Sequence, residues 1–155
     1  MNDSPMMSVI HAKMDLLELA SLCESLVGEL VEVIHSPTRI ALCGKLLCAL
    51  ESLKYALDAP IPAHCVQSLT ATAQEVENMP FLLGAESQTL RQYCASLTLV
   101  LLSGTLLAEQ WTIITGLLFD LVNHLRDDIY TPCFIKTANG IVNVQGECVE
   151  SFSYS

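Results

Sequence analysis

The chain has 155 residues, of which 52% are apolar and 15% charged, and its 17 acidic against 7 basic residues leave a formal net charge of −10. That balance excludes a disordered polyampholyte and fits one domain with a core, since a globule of this size buries roughly 68–70% of its unfolded surface. The negative field repels phosphate backbones and anionic lipid, so nucleic acid is excluded as a partner and a basic protein surface is favoured.

Ser4-Pro5 reads as a cap followed by a proline in the first helical turn, so the first helix is expected to start there. Its apolar seam is Leu16, Leu19, Cys23, Leu26, Leu30 and Val33, in steps of three and four, with Asp15, Glu18, Glu29 and Glu32 mostly off it. His35-Ser36-Pro37 breaks the pattern and repeats the cap-plus-proline signal, which predicts a second, antiparallel helix with the stripe Ile40, Cys43, Leu47, Leu50, Leu53 and Leu57. After the rigid connector Ala59-Pro60-Ile61-Pro62, the positions Val66, Leu69, Ala73 and Val76 predict a half-exposed third helix that ends before Asn78-Met79-Pro80.

Ser87 is a cap candidate for a long proline-free stretch. A single helix from Ser87 to Asp128 would run about 63 Å, too long for a compact domain of this size, so a break is expected. Ser103-Gly104 is the favoured place and Glu109-Gln110 the other. The last helix carries the stripe Trp111, Ile114, Leu118, Leu121, Leu125 and Ile129, and ends near Tyr130-Thr131-Pro132. Beyond it, Cys133 to Lys136 and Ile141 to Val144 flank Asn139-Gly140, a strong hairpin signal. An isolated ribbon is marginal in water, so this one must pack on the bundle or pair with another chain. The expected fold is therefore mainly all-α, an antiparallel bundle of about five helices over residues 1–130, with a small C-terminal β-hairpin and tail over 131–155 of the same domain.

Residues 92–108 contain no charge, and Glu109 alone separates them from the apolar run 111–119, which raises a membrane hairpin as a rival. Burying Glu109 in hydrocarbon would cost on the order of 2.5–3.5 kcal/mol, and no dense Lys or Arg cluster sets an orientation. A buried helical pair without membrane contact is the expectation.

Asp120, His124, Asp127 and Asp128 share a helical face and form the best polar constellation: carboxylates and an imidazole there suit a divalent cation or a base with its orienting acid. A solvated surface near a helix end carries the same residues, and the expectation is neither catalytic residues nor a metal or cofactor site. The seven cysteines, at 23, 43, 48, 65, 94, 133 and 148, are odd in number and lack a C-x-x-C pair; buried thiols in a reducing cytoplasm are the simplest reading. With Asn139-Gly140 as the turn, Cys133 would sit opposite Gly146, displaced by two residues from Cys148. No G-x-S-x-G elbow or glycine-rich phosphate loop occurs, and Lys45, Lys54, Arg91, Arg126 and Lys136 are too dispersed for a nucleic-acid platform.

The chain therefore reads as a non-enzymatic, protein-binding accessory factor: an adaptor, chaperone-like escort, inhibitor or immunity-type protein that uses a helical face or the terminal hairpin on a basic partner. Homodimerisation would equally occupy the apolar excess. A second class is a sensor or enzyme with a pocket between helices, lined by leucines and Met79, Trp111 or Phe119, with Asp120 and His124 as its polar groups.

Overall fold

The computed structural model describes residues 14–72, 74–75, 87–132, 134–138 and 140–143. The fold is mainly helical with a small sheet. In chain order the elements are α1 (Leu16–Glu32), α2 (Ser36–Asp58), the short α3 (Ala63–Val66), a 3-10 turn (Gln67–Leu69), β1 (Thr70–Thr72), α4 (Ser87–Leu102), α5 (Ala108–Tyr130), β2 (Phe134–Thr137) and β3 (Gly140–Asn143). The chain divides into two compact units, one of Met1–Ala59 with Glu86–Ile129, the other of Pro60–Ala85 with Tyr130–Ser155.

The first unit is an antiparallel bundle of the four long helices. Ser4 and Pro5 lie outside the described residues, but the helix that carries the expected seam does not run back to them: Asp15 is extended, at ψ 178°, and Leu16 is the first helical residue. α1 begins at Asp15, whose carboxylate accepts the Glu18 N–H at 2.8 Å, a cap that also places negative charge at the positive end of the helix. It buries Leu16, Leu19, Cys23, Leu26 and Leu30 of the expected seam, together with Ala20 and Val27. At α2 the cap position is His35 rather than Ser36, and Pro37 falls in the first turn, where its missing N–H breaks no helical bond.

The buried face of α2 differs from the expected stripe. Leu42, Cys43, Leu46, Ala49, Leu50 and Leu53 are enclosed, while Ile40 is 57% exposed. α2 packs against both α1 and α4, so its buried arc is wider than one stripe and takes in neighbours that a single seam leaves out.

Polar contacts set the helix directions. Gln88, at the start of α4, donates to the Lys54 carbonyl at 3.0 Å and to the Asp58 carboxylate at 2.9 Å, closing the C-terminal end of α2. Arg91 reaches Glu51 at 3.7 Å and donates to Gln88 Oε1 at 3.0 Å. α4 thus starts where α2 ends. Ser87 donates to the Asp128 carboxylate, which ties the start of α4 to the end of α5, and Arg126 reaches Glu24 of α1 at 3.5 Å. Ser52, Thr98 and Thr115 are buried hydroxyls that donate to the carbonyl four residues earlier, a local bond that lets a polar side chain sit in a helical core.

The expected break falls at Ser103-Gly104. Gly104 adopts φ +71°, the left-handed conformation that commonly ends a helix and that glycine accepts without steric cost. Gln110 then accepts the Leu107 N–H at 3.1 Å and helps to start α5, so Glu109-Gln110 belongs to a first turn and not to a break. The core stripe of α5 is Thr115, Leu118, Val122, Leu125 and Ile129, with Trp111, Ile114 and Leu121 half-buried.

The second unit departs from expectation between residues 66 and 72. Instead of a third long helix, the chain makes one helical turn, a 3-10 turn and the strand Thr70–Thr72, which pairs in parallel with β2 from Thr70↔Phe134 to Thr72↔Lys136. Ala73 and Val76 lie outside the described residues. The hairpin is present, with the register Thr137↔Gly140 and Phe134↔Asn143. Its turn therefore falls one residue earlier than Asn139-Gly140: Gly140 is the first residue of β3, at φ +120°, and Thr137 Oγ1 donates to its carbonyl at 2.7 Å. The hairpin was expected to pack on the bundle or to pair with another chain; what it pairs with in this chain is β1, which supplies a third strand. Cys133 and Cys148 lie outside the described residues.

No helix among the described residues is long and apolar enough to cross a membrane.

Candidate functional site

Two surfaces of the helical bundle concentrate side chains that folding alone does not explain. The first is the outward face of α5. Helical steps of three and four place Glu109, Ile113, Leu117, Asp120, His124 and Asp127 on one stripe, and all six are exposed. Ile113 is 63% and Leu117 48% exposed, so two branched side chains project from the middle of a helix among carboxylates. Gly116 lies beside them, and a Cβ there would meet nothing within 4 Å.

The four polar residues singled out in the sequence are split by this geometry. Asp120, His124 and Asp127 point outward on α5, whereas half-buried Asp128 turns toward α4 and accepts the Ser87 hydroxyl. Among the described residues, no three of Asp120, His124, Asp127 and Asp128 bring their ligand atoms close enough to share one ion. Neither Asp120 nor His124 lines the cavity described next.

The second surface is a cleft of about 300 Å³ between the start of α2 and the turn joining α4 to α5. Ile40, Leu101, Leu106 and Trp111 make its apolar wall, and Ser36 and Arg39 supply polar groups. Arg39 Nε donates to the Val33 carbonyl at 2.9 Å, and the guanidinium lies 4.8 Å from the centre of the Trp111 ring. Trp111 was expected as a lining residue and is one; Met79 lies outside the described residues, and Phe119 does not line this cleft. Arg39 was not singled out in the sequence, since nothing in its neighbourhood marks it from other dispersed cations. Its distance from Trp111 along the chain conceals their stacking.

Three of the buried thiols, Cys23, Cys43 and Cys94, are poor nucleophiles. Burial pushes the Cys23 thiol up to about 12, and the nearby Cys94 thiol adds to the rise. Burial likewise raises Cys94 to about 12 and Cys43 to about 11, with Arg91 and Arg39 respectively opposing the shift. Near neutral pH all three remain protonated, which removes the reactive thiolate form.

Compared with protein-family models, curated proteins and solved structures, the chain matches none. What the fold and its surfaces define is a class: a small antiparallel helical bundle, with one helix face left mixed apolar and acidic, joined in sequence to a three-stranded sheet.

Proposed function

We propose that the protein is a non-enzymatic binding module, an adaptor or escort whose working surface is the outward face of α5 and whose partner presents a basic amphipathic helix. The observation that carries this reading is the exposed pair Ile113 and Leu117, set between Glu109 on one side and Asp120 and Asp127 on the other. Ile113 and Leu117 are one helical turn apart, so they present neighbouring apolar surface that a partner could cover. A partner helix that lays apolar side chains against them, with Lys or Arg at its edges, would remove apolar area from water and meet the carboxylates at the rim. The same acidic stripe disfavours a second copy of the chain, because two such faces would set Glu109, Asp120 and Asp127 against their own kind.

The test is native mass spectrometry of the tagged full chain purified from its source cell in reducing, detergent-free buffer. Wild-type chain is expected to carry a stoichiometric second protein, and the double variant Ile113→Glu, Leu117→Glu to lose it while keeping its helical circular dichroism. Retention of the partner by the double variant would move the working surface elsewhere; a bare chain would remove the reading altogether.

A further inference from the structure

We propose that the Arg39–Trp111 cleft is a binding site for a small apolar carboxylate, which places its carbon chain on Leu101, Leu106 and Ile40 and its carboxylate on the Arg39 guanidinium. The site is separate from the outward face of α5 and does not depend on it. Three observations converge.

The first is volume: about 300 Å³ lies at the small end of ligand cavities, which run from roughly 300 to 1,000 Å³. Room for one short chain favours a free acid over the end of a folded partner.

The second is chemistry. The cleft wall is apolar, and Arg39 is its one charged lining residue. In a chain of net charge −10, no carboxylate among the described residues lies within ion-pair distance of Arg39. A half-buried guanidinium without an acid is suited to an anion from outside, and its planar fork matches a carboxylate with two parallel N–H bonds.

The third is preorganisation. The Val33 carbonyl holds Nε and the guanidinium carbon lies 4.8 Å from the centre of the indole, so the head group is already held at the cleft before a ligand arrives. The start of α2 adds to the potential, since its first turn has no acidic residue and His35 makes no side-chain cap.

Trp111 is the only tryptophan of the chain, so its emission reports on this cleft. The full-length protein is titrated with octanoate, with 1-octanol and with acetylated trileucine, all below micellar concentration. A saturable change with octanoate, at least tenfold tighter than with octanol, is the expected result. Arg39→Met is expected to bind octanoate and octanol alike, and Arg39→Lys to fall between it and wild type. The wild-type ratio of octanoate to octanol stands even where a variant fails to fold. Equal affinity for octanoate and octanol in wild type, or no saturable change with octanoate, would overturn the proposal. Tighter binding of acetylated trileucine than of octanoate would overturn the free-acid assignment in favour of a peptide terminus.

Discussion

Arg91, in the first turns of α4, is a charged residue enclosed among apolar neighbours of the bundle. It is 5% exposed, with its guanidinium held between Glu51 and Gln88, although in the sequence it is one of several dispersed cations. Its aliphatic stem fills core space while its charge reaches an acid that water still touches. Packing, more than the ion pair, should therefore set its worth. Arg91→Ala is expected to cost about 2–3 kcal/mol in urea unfolding and Arg91→Met less than about 1 kcal/mol, because methionine keeps the stem volume and Glu51 can be solvated. A methionine variant as unstable as the alanine one would show the charge to be the stabilising element. The cysteines were readable as buried apolar groups, and Cys23, Cys43 and Cys94 are enclosed. Their raised values give an alkaline limit to stability. In the unfolded chain each thiol ionises near its ordinary value of 9.0, while in the fold it keeps its proton to about 11 for Cys43 and about 12 for Cys23 and Cys94. The folded state binds more protons above pH 9, so stability is fully present below that pH and falls between pH 9 and 11–12, by up to about 1.4 kcal/mol per pH unit for each thiol. Urea midpoints measured from pH 8 to pH 11 should decline, and Cys23→Ala should make the decline shallower. An unchanged slope would mean that other groups set the alkaline limit.

At the scale of elements, legibility follows the range of the interaction that fixes each one. The seam of α1, the break at Gly104 and the end of α5 depend on helical periodicity, a left-handed glycine and a following proline, all of which act within a turn or two. The start of α1 was misplaced, because Ser4-Pro5 is a stronger local signal than the observed cap, Asp15. β1 depends on no such local signal. Thr70-Ala71-Thr72 is too short to show an alternating pattern, and its partners at Phe134 to Lys136 come after two long helices, so only the parallel pairing reveals it. The hairpin was legible as a pair of strands but its register was not, because Asn-Gly is a strong local signal that the observed pairing overrides by one residue. The mixed face of α5 was half visible: its carboxylates and His124 stood out, while Ile113 and Leu117 were masked by the many apolar residues around them. Gly116 tests that face. It sits in the interior of a long helix with open space where a Cβ would be, so Gly116→Ala should raise stability by about 0.5–1 kcal/mol in thermal or urea unfolding. A destabilising alanine would show that the glycine is needed by the helix itself. A stabilising one that weakens partner capture would place the glycine in the contact.

On the scale of the whole molecule, the net charge of −10 is expected to govern how the proposed partner arrives more than how tightly it stays. The two contributions can be separated, because the carboxylates of α5 and its apolar pair occupy the same stripe yet act over different distances. Charges steer an approaching basic helix from beyond contact and are screened over a Debye length of about 8 Å at physiological ionic strength, whereas Ile113 and Leu117 act only on contact. Removing the charges should therefore slow association, and removing the apolar pair should speed dissociation. With the partner immobilised, Asp120→Lys combined with Asp127→Lys is expected to lower the association rate by tenfold or more at low salt and to flatten its dependence on salt, with little change in dissociation. Ile113→Ala combined with Leu117→Ala should leave the association rate within about threefold and raise dissociation at least tenfold. Both pairs are exposed, and Asp127 meets Arg126 at 3.4 Å only at the surface, so thermal unfolding that changes little provides the control. If the lysine variant altered dissociation alone, the carboxylates would be acting in direct contact and the field of the molecule would have no part in recognition.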